Sequence, residues 1–184
     1  MKKALINIDY TNDFVATDGA LTAGQPAQSI LDTVMKVTKD FVESEDYLVF
    51  AIDTHYPDDP FHPESKLFPD HNIANTSGHD LYGPLEEYYQ TIKDQKNIYY
   101  MEKSRYSAFA GTDLHQKLSE RSIKEIHILG VCTDICVLHT AIDAYNLGYD
   151  IKIHANACAS FNAAGHDWAL GHFKSCLAAE IIED

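Results

Sequence analysis

The run EIHILGVCTDICVLHTAIDAYNLGYDIKIHA, residues 125–155, decides the architecture. It opens with the largely apolar stretch EIHILGV (125–131) and returns to YDIKIHA (149–155). Between them, 133–147 carries Val137, Leu138, Ala141, Ile142 and Tyr145 at helical spacing. Working outward, further strand candidates stand at 2–9, 47–53, 97–102 and 179–182, and helix candidates at 26–44, 84–93, 112–121 and 162–178. The first helix opens with Pro26, whose fixed φ suits a helix start, and places Ile30, Val34, Val37 and Phe41 on one face. Short, near-continuous apolar strands alternating with helices predict burial on both faces. The expected fold is α/β: a three-layer α/β/α sandwich around a mostly parallel six-stranded sheet.

Composition narrows the function. The chain of 184 residues is 45% hydrophobic and 23% charged, which suits a single domain over 1–184. Lys+Arg 14 against Asp+Glu 28 leaves a net charge of −14, which repels nucleic-acid phosphates and anionic membrane surfaces. The opening MKKALINIDY is too short for a secretory apolar core, and no later run approaches a membrane span. A cytoplasmic location follows as the expectation, and with it reduced thiols for the four cysteines.

In open parallel sheets, ligands bind outside the carboxyl ends of the strands. Those ends are Asp9, then Asp53-Thr54-His55, then Glu102-Lys103, then the turn from Gly130 to Cys136. Cys136 falls in the first turn of the helix over 133–147, with Thr133 or Asp134 as its N-cap. Orphan amides and the positive helix end there favour a thiolate and can hold an oxyanion. Cys132 is the rival, although its position before the helix suits its backbone amide better than its thiol. Cys158 and Cys176 read as ordinary buried or peripheral thiols. Lys103 would support a thiolate electrostatically, and Asp9 could carry its proton to a leaving amine.

The longest irregular stretch, 54–83, is rich in Pro, His and Asp. Asp53 and His55 point the same way at a strand end, and the loop adds His62, Glu64, Asp70 and His71. Mixed nitrogen and oxygen donors suit one divalent transition metal ion, zinc foremost, with iron, manganese or cobalt also admitted.

These motifs together resemble the isochorismatase-like cysteine hydrolases, and within them the nicotinamidase/pyrazinamidase group. The resemblance rests on INIDYTNDF with Asp9 and Phe14, AIDTH with Asp53 and His55, FHPESKLFPDH with Glu64 and His71, MEKSRYSAF with Lys103, and GVCTDICVLHTAIDAYNLGYD with Cys136. It implies the isochorismatase-like hydrolase fold, Cys136 as nucleophile with Lys103 and Asp9, and Asp53, His55 and His71 as metal ligands. Glu64 is implied as a fourth ligand, direct or through water. A cis peptide is implied between Val131 and Cys132, aiming the amides of Cys132 and Cys136 at an oxyanion. Phe14, Phe68 and Tyr106 are implied as aromatic walls around a pyridine ring. The implied reaction is deamidation of nicotinamide to nicotinic acid and ammonia through a cysteine thioester, in NAD salvage, with pyrazinamide also accepted. A carbamoyl or ureido hydrolase is the rival within the family, and the metal set weighs against it. LYGPLEEYYQ (81–90) offers an aromatic surface for a homo-oligomer, a form the family often adopts.

Overall fold

In the computed structural model, which describes residues 2–183, all six predicted strands form and join in one sheet. They are β1 (Lys3–Ile8), β2 (Tyr47–Asp53), β3 (Ile98–Lys103), β4 (Glu125–Val131), β5 (Asp150–Ala159) and β6 (Glu180–Ile182). The order is β3-β2-β1-β4-β5-β6, and every pairing is parallel. The helices are α1 (Asn12–Val15), α2 (Gln25–Ser29), α3 (Leu31–Glu43), α4 (Pro84–Ile92), α5 (Leu114–Glu120), α6 (Leu138–Asn146) and α7 (Ala163–Cys176).

All seven residues of β2 are buried, as its unbroken apolar run predicts. Tyr47, Val49 and Ala51 face a core shared with Leu114, Leu118, Ala141 and Phe173 of α5, α6 and α7. Leu48, Phe50 and Ile52 face the opposite core with Val34, Val37 and Phe41 of α3 and Leu85 of α4. Each Val, Leu, Ile or Phe among these contributes roughly 1.5–3 kcal/mol on burial, so the two cores clamp the sheet from both sides. No helix among the described residues is long and apolar enough to cross a membrane.

Several boundaries differ from expectation. The predicted helix over 26–44 breaks at Ile30 into α2 and α3. The buried Tyr10 hydroxyl donates to the Ala27 carbonyl at 2.6 Å, taking an acceptor that a continuous helix would use itself. That partner comes from another element, so local periodicity could not show it. β5 extends to Ala159 and therefore contains Cys158, because pairing with β4 resumes at Gly130↔Cys158 after a register shift. In the stretch 81–90 the tyrosines Tyr82, Tyr88 and Tyr89 are half-buried, each with a face toward the core and part of its surface exposed. Leu81 and Leu85 are fully buried, and Tyr89 packs on Phe50 and Tyr100. These aromatics thus serve this chain's own core in part.

Successive crossovers run from β1 to β2 to β3 on one side, whereas β4 lies on the other side of β1. The switch point is therefore the crevice between the carboxyl ends of β1 and β4. Gly130 makes the close approach possible: its φ is 122°, and a Cβ there would collide with the Ile8 carbonyl.

Candidate active site

Asp9 ends β1 with a φ of 54°, a left-handed conformation that aspartate tolerates better than most residues. The turn stops the strand and directs the carboxylate across the crevice. Its Oδ1 accepts the Asp53 backbone N–H at 2.7 Å, and its Oδ2 lies 2.9 Å from Lys103 Nζ. Lys103, the last residue of β3, also approaches Cys136 Sγ at 3.6 Å and Asp53 Oδ1 at 3.7 Å. Asp9, Lys103 and Cys136, picked out from three separate strand ends, are thus gathered into one buried group.

Burial dominates the electrostatics. It raises Asp9 to about 6 despite the opposing pull of Lys103. Burial would lower Lys103, yet Asp9, Cys136 and Asp53 together raise it, so the amine is a fixed cation. The Cys136 thiol is also pushed up by burial, against the pull of Lys103. Burial thus opposes the stabilisation of a thiolate expected from the helix end. The sulfur rests as a thiol because one ammonium already pairs with the Asp9 carboxylate, and a second buried anion would lack compensation. Cys132 is pushed up to about 12 by burial. Lys103 contacts the Cys136 sulfur, which separates the two thiols chemically.

The turn carrying Cys136 differs from an ordinary helix start. The peptide Val131–Cys132 is cis, as the resemblance implies. Residues Thr133–Val137 form a π-helical turn, and the N-cap is Cys132 rather than Thr133 or Asp134. Both expected caps are engaged elsewhere. Asp134 accepts from Ser160 at 2.6 Å and from Asn162 at 3.1 Å, while the Thr133 hydroxyl bonds the His166 ring at 2.8 Å. α7 and the connection before it therefore hold the turn in place. Gly165 lies close beside the turn: a Cβ there would displace the Asp134 carboxylate.

A second buried group lies beyond Asp53. His55 Nε2 is 2.6 Å from Asp53 Oδ2, and His71 Nε2 is 3.5 Å from both Asp53 Oδ2 and Glu64 Oε2. His71 Nδ1 faces the Pro69 carbonyl at 2.8 Å, so it carries the ring proton and leaves the Nε2 lone pair free in the neutral ring. That buried Nε2 has no hydrogen-bond partner. Burial would depress His71, but the Asp53 and Glu64 carboxylates raise it to about 10. Two carboxylates that draw a proton onto an imidazole define a place suited to a cation. Asp53 is itself raised by burial, but Lys103, His55 and His71 outweigh this and hold it well below the usual carboxylate range.

The donor set thus fits a divalent metal ion. The ligand atoms of Asp53, His55, His62 and Glu64 all lie within 4.8 Å of one another; His71 is outside that group and joins it through its 3.5 Å approaches to Asp53 and Glu64. The His62 Nδ1 accepts the Glu64 N–H at 3.3 Å, which puts the proton of the neutral ring on Nε2. Ligation through that nitrogen would require this bond to break. Asp70 is exposed and lies outside the cluster.

Asn72 secures the cluster from behind. Its side chain donates to the Asp53 carbonyl at 3.0 Å and accepts from Thr11 at 2.8 Å. Its backbone N–H donates to Asp13 at 2.7 Å, and its carbonyl accepts from His55 at 3.0 Å. One fully buried residue thereby ties α1 and its N-cap Thr11, the end of β2 and the 54–83 loop together.

Phe14, Phe68 and Tyr106 line a narrow cleft with Cys136, Cys132 and Glu64. Leu21, Ile135 and Phe161 complete its walls and were not singled out from sequence. Ile135 could have been, as the neighbour of Cys136; Leu21 and Phe161 lie in connections with no local signature. The cleft holds about 20 Å³, room for a single water.

Fold and site define a doubly wound α/β protein with a buried cysteine, lysine and carboxylate gathered at its switch point. The isochorismatase domain model matches residues 3–183, and the chain belongs to that family. It is 58% identical over 183 residues to the isochorismatase family protein PncA of Bacillus subtilis, covering 100% of both chains. The crystal structure of nicotinamidase/pyrazinamidase PncA from Bacillus subtilis superposes with a TM-score of 0.98 at 61% identity, again covering 100% of each chain. A pyrazinamidase of Pyrococcus horikoshii in complex with zinc matches with a TM-score of 0.86 at 26% identity and 100% coverage of both chains.

Proposed function

We propose that this chain hydrolyses nicotinamide to nicotinic acid and ammonia, with pyrazinamide as a second substrate. The observation that carries this reading is Lys103 Nζ standing 2.9 Å from Asp9 and 3.6 Å from Cys136. It is supported by the similarity to proteins named nicotinamidase and pyrazinamidase. Asp53, His55, His71 and Glu64 would hold a divalent ion, zinc foremost, and the ion would supply a Lewis acid for a ring nitrogen. Phe14, Phe68 and Tyr106 would flank the ring and present its carboxamide to the sulfur.

Asp9, ionised near neutral pH, takes the Cys136 proton as the sulfur bonds to the amide carbon. The carbonyl electron pair moves to oxygen, where the Cys132 and Cys136 amides receive it. As the carbon–nitrogen bond breaks, Asp9 returns the proton to the amine and ammonia leaves a thioester. Water then adds, giving a proton to Asp9, and the carbon–sulfur bond breaks to release the acid and restore the thiol. Lys103 stays protonated throughout and compensates whichever of Asp9 or Cys136 carries the negative charge.

In this proposal the single domain acts in the cytoplasm, in NAD salvage. The test is ammonia release by purified protein from nicotinamide, pyrazinamide and an N-carbamoyl amino acid, with metal content measured on the same sample. Turnover of the two ring carboxamides alone is expected. Turnover of the carbamoyl compound alone would replace this substrate class with the rival one.

A further inference from the structure

The cluster of Asp53, His55, Glu64 and His71 stands between two cavities of opposite character. One is the apolar cleft at Cys136. The other is an open groove of about 350 Å³. Its buried walls include His55, Glu64 and His71, and its exposed walls include Asp58, Asp59 and Asp70. Neither lysine nor arginine lines it, and Arg105, whose charge reaches His62, is not among its walls.

We propose that this outer groove is the entry port through which a hydrated divalent cation reaches the metal cluster, separate from the cleft that admits the amide. The inference rests on the metal site proposed above. Three features carry it. The His71 Nε2 atom, on a side chain 99% buried by residue, has no hydrogen-bond partner, stands 3.5 Å from the Asp53 and Glu64 carboxylates and belongs to a residue that lines the groove. The rim carboxylates lie on the same groove, so a cation drawn to them is already beside the cluster. The alternative route is apolar: Phe14, Leu21, Ile135 and Phe161 are among the walls of the cleft, and Glu64 is its one carboxylate. A neutral amide has nothing to gain from the acidic rim; Phe68 and Glu64 line both cavities, whereas Phe14 and Tyr106 line the cleft alone.

Carboxylates at the mouth of a cleft raise the rate of cation capture, and salt screens that effect. The test uses a protein with Asp58→Asn, Asp59→Asn and Asp70→Asn combined. These changes keep the side-chain shape, the Asp59 acceptor that binds the Phe61 N–H at 2.9 Å, and a residue type that tolerates the positive φ of Asp58. Zinc uptake by metal-free protein is followed in a stopped-flow instrument by competition with a chromophoric chelator. The rate constant should fall on the order of tenfold at low ionic strength, and the difference should shrink as salt rises. Turnover of the zinc-loaded variant should match the unmodified protein. Asp70→Lys alone, at an exposed position, should slow uptake further than Asp70→Asn alone. Wild-type uptake rates in the triple variant and in Asp70→Lys would overturn the proposal, as would failure of the unmodified protein to bind zinc. Salt-dependent uptake by a protein that leaves nicotinamide intact would keep the port while removing the proposed reaction.

Discussion

Asp9 grips Asp53 directly: its Oδ1 accepts the Asp53 backbone N–H at 2.7 Å while its Oδ2 faces Lys103 at 2.9 Å. One carboxylate therefore serves both the cysteine group and the backbone that carries the metal cluster. The two functions can be separated. Asp9→Asn retains an oxygen for the Asp53 N–H but cannot take a proton; Asp9→Ala loses both. The Asn variant should keep its zinc content near the parent value while kcat falls by at least about a thousandfold, and its melting temperature should drop because Lys103 loses its carboxylate partner. The Ala variant should lose activity and zinc together. Equal loss of zinc in both would show that the hydrogen bond to Asp53 does not position the cluster.

The acid limb of activity follows from the same residue. Burial raises Asp9 to about 6, and the group must be ionised to accept the thiol proton. The ionised fraction falls as pH drops below that value, so activity is lost toward acid. kcat/KM should decline roughly tenfold per pH unit below about 6, as the free-enzyme titration requires. A profile flat from about pH 7.5 to about pH 5 would exclude Asp9 as the base.

Removing the sulfur and removing the ammonium should have different costs. Cys136→Ala should fold normally and lose at least about 10⁴-fold in turnover. Lys103→Met should lose activity and also stability, by about 3–5 kcal/mol, because Asp9 and Asp53 would be left as buried carboxylates without their cation. Denaturant titration of both variants distinguishes the cases. An undiminished midpoint for Lys103→Met would mean that the fold does not depend on this ion pair.

Asn72 touches neither sulfur nor amine, yet all four of its polar groups are engaged around the cluster. Asn72→Ala should weaken zinc binding by roughly 10–100-fold, the usual effect of losing a group that orients ligands. Competition with a chelator measures this. At saturating zinc the variant should recover most of its kcat; no change in zinc affinity would reduce Asn72 to a loop tether.

Much of this molecule is legible in one dimension. The apolar runs at 47–53 and 125–131 demand burial on both faces, and the helices between strands force parallel pairing, so the layered sheet and its reactive strand ends follow from local pattern alone. Asp9, Lys103 and Cys136 could be picked out because strand ends are where such a fold places its chemistry. Tertiary structure decided what distant partners do to each group. Tyr10 interrupts a helix that periodicity would continue through Ile30. His166 of α7 engages Thr133, and Ser160 and Asn162 in the connection before α7 engage Asp134, which removes both from the caps they would otherwise form. Pro69 and Glu64 assign opposite tautomers to His71 and His62, rings that spacing alone cannot rank. Burial opposes the thiolate expected at the helix end. Sequence pattern reports short-range preference and hydrophobic period; desolvation and hydrogen-bond partnership depend on groups tens of residues away, and only the folded chain brings those together.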